Sequence, residues 1–292
     1  MIISHIIGGL GNQMFQYAAG RSRSLELGVP LLLHVADFAD YGPHQGFQLD
    51  QVFGCDFRFA EESDIRRLLG WRGYRLARRV LRRKAAMALR GEKFVIEPYF
   101  DHWPGFSRVA RDSYLAGYWQ SEKYFRNIED AIRRDFSFKA PLTGRNAEWA
   151  SRIADSTSVS VHVRRGDYVA NPKALAVHGL CGPDYYHSAV DRLVREFPAP
   201  EFFIFSDDID WVREHLHIAQ PCHYIDNNKG AGSYNDMHLM SLCRHHIIAN
   251  SSFSWWGAWL NPRADKKVIA PKKWFADGRT VADLIPAGWT TL

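Results

Sequence analysis

The chain has 292 residues, of which 46% are hydrophobic and 24% are charged, a composition typical of a globular protein with a sizeable core. Its 37 Lys and Arg against 32 Asp and Glu give a net charge of +5, which is too small for a histone-like or disordered polybasic protein. The excess favours anionic partners without choosing among phosphates, nucleic acid and acidic lipid.

Cysteine usage and the N-terminus indicate the compartment. The four cysteines, Cys55, Cys181, Cys222 and Cys243, form no C-x-x-C pair and favour reduced thiols over a disulfide scaffold. The N-terminus lacks the basic region of a secretory signal peptide, and no stretch approaches the ~18 apolar residues that span a bilayer. We therefore expect a cytoplasmic protein.

Short apolar runs alternate with amphipathic stretches along the chain, a pattern that predicts an α/β fold. The predicted strands are residues 2–7, 30–35, 94–98, 158–163, 202–205, 222–225, 246–249 and 267–270. The predicted helices are residues 12–27, 122–134, 184–196, 209–216, 235–244 and 253–260, with Asp208 and Ser252 as N-caps. A composition change near residue 140 predicts two α/β domains, 1–145 and 146–292.

Ligands of α/β sheets bind beyond the carboxyl ends of the strands, so the residues that follow each predicted strand matter most. The first strand is followed by Gly8-Gly9-Leu10-Gly11-Asn12-Gln13. Glycines at such a turn let backbone N–H groups approach a phosphate, and a tight turn between strand and helix is the alternative interpretation. Met14 breaks the dinucleotide fingerprint, and no Walker A loop follows.

A second strand ends in His162-Val163-Arg164-Arg165-Gly166-Asp167. An unpaired charge at the end of a buried strand is costly, whereas a guanidinium fork binds a phosphate through two hydrogen bonds. The motif therefore predicts a phosphate site. An ion pair between Arg165 and Asp167 that braces the domain joint is the alternative.

A third strand is followed by Ser206, Asp207, Asp208 and Asp210. The spacing of Asp208 and Asp210 matches the D-x-D pattern by which some nucleotide-sugar enzymes hold a divalent metal. Both positions also suit the cap and first turn of a helix, where carboxylates are favoured, and we predict this role and no metal. Asp207 can accept hydrogen bonds from a base or ribose.

A fourth strand is followed by Asn250-Ser251-Ser252-Phe253, which opens a helix. Small hydroxyls and N–H groups at a helix start can cap the helix and bind an anion at the same time.

The segment 64–93 carries eleven basic residues against two acids, with Leu69, Leu76, Val80 and Met87 at helical spacing. It predicts either a solvated face or contact with an anionic membrane or a lipid-linked pyrophosphate.

Together these motifs resemble the inverting α-1,2-fucosyltransferases of bacterial polysaccharide synthesis, glycosyltransferase family 11. The resemblance rests on GGLGNQMFQYAAG (8–20), HVRRGDYV (162–169), FIFSDDIDW (203–211) and DMHLMSLCRHHIIANSSFSWWGAWLN (236–261). The segments occur in the order of the family and span nearly the whole chain. Residues 38–121 match nothing recognisable, as expected of a region that determines acceptor specificity.

The resemblance implies a GT-B-like fold with two Rossmann-like domains facing across a cleft. Residues 1–145 would form the acceptor side and residues 146–292 would hold GDP-fucose, without a metal or another cofactor. It implies transfer of L-fucose with inversion to the 2-hydroxyl of a glycan, with a terminal β-galactose as the expected acceptor, in surface polysaccharide or O-antigen synthesis. A lipid-linked acceptor would place the enzyme at the periphery of the inner membrane.

The resemblance also assigns roles to residues. Arg164 would grip the donor diphosphate, and Arg165 would support folding or donor orientation. The remaining donor contacts would come from Gly9, Gly11, Asn12, Gln13, Ser206, Asp207, Asn250, Ser251, Ser252 and Phe253. From the sequence itself, and not from the resemblance, Asp167 and His162 are the candidate general bases, and Asp236 is a third.

Two other classes of function fit the sequence less well. An NAD-dependent oxidoreductase is disfavoured because the glycine fingerprint is incomplete and no acidic residue ends the second strand. A nucleic-acid-binding protein using the arginines of residues 64–93 would leave all four strand-end motifs without a role.

Overall fold

A computed structural model describes residues 1–40, 45–166, 169, 171–279 and 281–292, with the backbone alone of Asp40 and Ala174. The chain divides into two compact units. The N-terminal unit comprises residues 1–139 and 282–284, and the C-terminal unit comprises residues 140–281 and 285–292. Ala282–Leu284 therefore return to the N-terminal unit from near the end of the chain.

The N-terminal unit is built on a parallel sheet with the strand order β2-β1-β4-β3. Its strands are β1 (Ile2–His5), β2 (Leu31–His34), β3 (Phe94–Ile96) and β4 (Ser113–Ala116). Its helices are α1 (Leu10–Leu27), α2 (Leu49–Val52), α3 (Glu62–Leu69), α4 (Arg75–Leu81) and α5 (Glu129–Asp135). Short 3-10 turns cover Ala36–Asp40, Gly70–Gly73, Lys84–Leu89, Pro104–Arg108, Glu122–Tyr124 and Arg126–Ile128.

Two sequence predictions in this unit differ from the structure. Strand β4 was not predicted, although all four of its residues are buried between β1 and β3. A strand buried on both faces lacks the alternation that marks a half-buried strand, and this one is only four residues long. The predicted helix 122–134 is instead two 3-10 turns followed by α5.

The C-terminal unit is a second parallel sheet, with the order β10-β9-β8-β5-β6-β7. Its strands are β5 (Thr157–Val163), β6 (Pro200–Ser206), β7 (Cys222–Ile225), β8 (His245–Ile247), β9 (Val268–Ala270) and β10 (Thr290–Thr291). Its helices are α6 (Arg145–Ala154), α7 (Pro172–His178), α8 (Pro183–Glu196), α9 (Ile209–His215), α10 (Tyr234–Leu242) and α11 (Ser252–Leu260). The predicted alternation of strands and helices is confirmed, while α6, α7 and β10 were not predicted.

The core of the C-terminal unit lies between the central strands and the flanking helices. Val159, Val161 and Val163 of β5 pack with Tyr186 and Leu193 of α8, and all five side chains are buried. All four cysteines are free thiols. Within the described ranges, no helix combines the length and the apolar character needed to cross a membrane.

Candidate functional site

The carboxyl ends of β5 and β6 bring Arg164 and Asp207 together. The two strands pair in parallel with Val163 opposite Ser206, so the residues after them emerge at the same edge of the sheet. Arg164 Nη1 lies 3.0 Å from Asp207 Oδ2, and their side chains are 26% and 24% exposed. Asp207 Oδ1 accepts a hydrogen bond of 2.8 Å from the backbone N–H of Arg165. One carboxylate thus holds both the Arg164 guanidinium and the backbone of the next residue.

Arg165 is fixed differently from Arg164. Its guanidinium lies 3.6 Å from the centroid of the Trp211 ring, and its Nε lies 3.5 Å from Asp208 Oδ2. Cation–π contact of this kind holds a guanidinium plane in one orientation. Asp167, a predicted general base and the alternative partner of Arg165, lies outside the described residues.

Asp208 caps α9, as predicted. Its Oδ1 accepts from the backbone N–H of Trp211 at 3.3 Å, and its own N–H donates to Ser206 Oγ at 2.9 Å. Asp210 is 91% exposed and pairs with Arg213 at 3.2 Å. In the parts of the chain that the structure describes, no group of three or more His, Cys, Asp or Glu is arranged to hold a metal ion.

His162 ends β5 as a buried imidazole. Its backbone carbonyl accepts from the Tyr186 hydroxyl at 3.1 Å, and its ring centroid lies 5.9 Å from that of Phe253. Burial lowers the pKa of His162 to about 4, helped by the charge of Arg164 and opposed by that of Asp207. A neutral imidazole with so low a pKa is a weak proton acceptor.

The turn after β8 is held by Asn250. Its Nδ2 donates to the carbonyls of His178 at 2.9 Å and Trp274 at 3.2 Å, so this side chain ties three segments of the unit together. The N-cap of α11 is Ser251, whose Oγ accepts from the backbone N–H of Phe253 at 3.3 Å. The predicted N-cap at Ser252 is wrong by one residue, because Ser252 is already the first residue of the helix.

Asp236 lies in the first turn of α10. Burial raises the pKa of Asp236 to about 7, although the Asn228 amide donates to its Oδ1 at 2.8 Å and acts in the opposite direction. A carboxyl group with this pKa can exchange a proton near neutral pH.

In the N-terminal unit, the glycine turn after β1 leads directly into α1. Gly8 has a φ of +86°, and a Cβ there would lie 3.0 Å from Asn12 Nδ2. Gly9 is the N-cap, and its carbonyl accepts from the N–H groups of Asn12 and Gln13. Asn12 Oδ1 in turn accepts from Gln120 Nε2 at 2.6 Å.

Gln13 is fully buried and makes three hydrogen bonds within the unit. Its Nε2 donates to the carbonyls of Gly8 and Gly46, both at 2.8 Å, and its Oε1 accepts from the backbone N–H of Gln48 at 2.9 Å. Both ends of the Gln13 amide, which the sequence predicted to contact the donor, thus hold the chain around residues 46–48 against the glycine turn.

Glu97 is a polar residue at a strand end that the sequence analysis missed. It follows β3, and its carboxylate accepts from the backbone N–H groups of Tyr118 at 2.6 Å and Trp119 at 3.0 Å, just after β4. Burial raises the pKa of Glu97 to about 7 against these two hydrogen bonds. The predicted strand 94–98 placed Glu97 inside the strand, and this hid its position.

A family model decides the classification. The model described as glycosyl transferase family 11 matches residues 76–292. The chain belongs to glycosyl transferase family 11. It is therefore a glycosyltransferase, and the family predicted from the four motifs is confirmed.

Relatives of this family 11 enzyme match over most of the chain. It is 35% identical to the α-1,2-colitosyltransferase of Escherichia coli, over 94% of this chain and 92% of the relative. It is 33% identical to the O-antigen biosynthesis glycosyltransferase WbnK of Escherichia coli, over 99% of both chains. It is 25% identical to galactoside α-(1,2)-fucosyltransferase 2 of Sus scrofa, over 87% of this chain and 68% of the relative.

The solved structure of fucosyltransferase NodZ from Bradyrhizobium has a similar fold. It superposes with a TM-score of 0.56 at 15% identity, over 89% of this chain and 92% of that chain. The expected GT-B-like α/β fold is thereby confirmed.

Proposed function

We propose that this family 11 enzyme is an α-1,2-fucosyltransferase that transfers L-fucose from GDP-β-L-fucose, with inversion, to the 2-hydroxyl of a glycan. The observation that carries the proposal is the placement of Arg164 beside Asp207 at the carboxyl edge of the C-terminal sheet. The α-1,2 linkage is supported by the names of two relatives, a colitosyltransferase and a galactoside fucosyltransferase.

The main electrostatic requirement of the reaction is to stabilise the leaving group. Breaking the bond between fucose and the β-phosphate develops negative charge on the departing pyrophosphate, and preorganised donors aimed at that charge lower the barrier. Arg164 is the donor in this proposal, with Asp207 setting the direction of its guanidinium. The start of α11 and the residues Ser251 and Ser252 supply further N–H and hydroxyl donors.

Arg165 acts in this proposal as a positioning residue. Its stacking on Trp211 and its pairing with Asp208 fix the backbone between Arg164 and Gly166. Asp208 is engaged by Arg165 and by the cap of α9, which supports transfer without a metal at this position.

Inversion requires the acceptor hydroxyl to attack the anomeric carbon from the face opposite the leaving phosphate. The sugar passes through an oxocarbenium-like state, as in glycoside chemistry, so the acceptor proton can leave late. His162 suits the base role poorly because burial lowers its pKa. Asp236 of the same unit, whose pKa burial raises to about 7, is better matched to neutral pH.

A second donor is favoured by one specific observation. The relative that is 35% identical is named a colitosyltransferase, and colitose is fucose without its 3-hydroxyl. A GDP-colitose donor would keep the guanosine diphosphate of GDP-fucose and differ from it by a single hydroxyl. The name of WbnK supports an acceptor in an O-antigen, and we propose a terminal β-galactose as the acceptor sugar.

The test measures GDP release from GDP-fucose and from GDP-colitose, with a panel of soluble acceptors that end in β-galactose. We expect release from GDP-fucose that depends on one acceptor, with a product whose NMR spectrum shows an α linkage to the 2-hydroxyl. Faster release from GDP-colitose would overturn the fucose assignment and keep the family chemistry. A product linked at another hydroxyl would overturn the α-1,2 assignment.

A further inference from the structure

Residues 70–90 of the N-terminal unit form a surface, the 70–90 face, on which large apolar side chains lie in solvent. Its exposed apolar side chains are Trp71, Tyr74, Leu76, Val80, Met87 and Leu89. Leu76 is 77% exposed and Met87 is 69% exposed. Isolated exposed apolar residues are ordinary, but a group of this kind marks a site of interaction.

The same residues carry a strong positive charge. Residues 70–90 contain eight Arg and Lys and no Asp or Glu. Arg79, Arg83 and Lys84 are exposed among the apolar side chains. The 70–90 face therefore offers cations and apolar groups side by side.

The apolar side chains face outward because polar contacts fix the rotation of α4. Arg78 is only 2% exposed, and its guanidinium lies 2.6 Å and 2.9 Å from the two carboxylate oxygens of Glu62. Arg82 Nη2 lies 3.1 Å from His5 Nε2 and 3.4 Å from Asp37 Oδ2. These contacts turn the side of the helix that carries two arginines toward the sheet.

The outward side of α4 consequently carries Leu76 and Val80, which are four residues apart and half or more exposed. Residues four apart lie on the same face of a helix. Leu81 of the same helix is buried in the apolar core, so α4 is anchored on one side while Leu76 and Val80 remain in solvent, where packing driven by apolar burial would not place them.

We propose that the 70–90 face binds the surface of an anionic phospholipid bilayer. Its leucine, valine, methionine and aromatic side chains would enter the boundary between headgroups and acyl chains, while its cations pair with lipid phosphates. Charge complementarity favours this occupant over a second copy of the chain, because a symmetric contact would oppose two cationic faces. Nucleic acid is less well matched, since aliphatic side chains add little to phosphate binding. The proposal does not depend on which sugar the enzyme transfers.

The experiment is co-sedimentation of the full chain with two kinds of vesicle, pure phosphatidylcholine and phosphatidylcholine containing about one third phosphatidylglycerol. We expect binding to the anionic vesicles and weak binding to the neutral ones. Arg79→Gln/Arg83→Gln should weaken binding to anionic vesicles roughly 30-fold, since each cation near the surface contributes about fivefold. The matched control is Arg192→Gln/Arg195→Gln, which removes the same charge from exposed positions of α8 and should leave binding unchanged.

A second variant tests the apolar part. Leu76→Ser/Val80→Ser keeps every charge and should weaken binding to anionic vesicles about tenfold or more, because two side chains no longer enter the bilayer. Equal binding to both kinds of vesicle, or binding that neither double variant reduces, would overturn the proposal. Sedimentation velocity provides a further check, because a dimer that Leu76→Ser/Val80→Ser dissociates would identify the face as an interface between copies instead.

Discussion

Replacing Arg164 with Ala tests the central role in the proposed reaction. If the guanidinium makes two hydrogen bonds to the departing diphosphate, each of about 1.5–3 kcal/mol for a charged partner, the variant loses about 3–6 kcal/mol of transition-state stabilisation. At about 1.4 kcal/mol per tenfold, kcat/KM should fall roughly 10²- to 10⁴-fold. Arg164→Lys keeps the positive charge but lacks the paired N–H donors of the guanidinium, so its decrease in kcat/KM should be intermediate.

The same variant should unfold almost like the parent. The pair of Arg164 with Asp207 is about one quarter exposed on both sides, and exposed ion pairs contribute only about 0–1 kcal/mol to the free energy of unfolding. The loss of transition-state stabilisation should therefore exceed the loss of folding stability by several kcal/mol. Steady-state GDP release measures the first quantity and urea unfolding measures the second.

Arg152→Ala is the matched control for this experiment. Arg152 pairs with Glu201 at 3.2 Å, near the opposite end of the strand β6 that leads to Asp207. It should leave transfer unchanged. An Arg164→Ala enzyme that retains more than a few per cent of the parental kcat/KM would refute the assigned role of Arg164.

Three further predictions concern metal dependence and the residues Gln13 and Glu97. EDTA should leave the transfer rate unchanged, and a loss that Mn²⁺ restores would instead show a metal site. Gln13→Ala should lower the free energy of unfolding, measured in urea, by about 3 kcal/mol, because three buried hydrogen bonds are lost. The control Gln51→Ala, at an exposed position, should lower it by less than about 0.5 kcal/mol. Equal decreases in the two variants would contradict the role of Gln13. Glu97 has its pKa raised from 4.5 to about 7, so between these pH values the folded state keeps a proton that the unfolded state loses. The free energy of unfolding of the parent should therefore fall as pH rises through this window, and less so in Glu97→Gln; identical pH dependence in urea unfolding would disprove the burial of this carboxyl.

The family and the sheet of the C-terminal unit could be predicted from the sequence because their signals are local. Strands β5 to β9 each carry a short apolar run, and the runs of β5, β6 and β8 are followed by polar motifs. The cap at Asp208 was predictable for the same reason, since a carboxylate at a helix start acts on N–H groups within three residues of it.

Predictions from local sequence patterns were wrong for two features of the N-terminal unit. Strand β4 is buried on both sides and carries no alternation, and Glu97 was assigned to the strand that it follows. In both cases the deciding information is which strands are neighbours in the sheet, and this is absent from a window of adjacent residues.

Sequence alone determined the family, because the four motifs and their polar side chains can be recognised within short stretches of the chain, whatever surrounds them. Only the tertiary structure decided which of these side chains are engaged elsewhere in the fold. The Gln13 amide is hydrogen-bonded to residues 33 and 35 positions away, and Arg78 turns inward to a glutamate 16 residues away. The sequence does not reveal such long-range partners, because they depend on how the chain folds back on itself, and they leave Arg164 at the sheet edge and Leu76 in solvent.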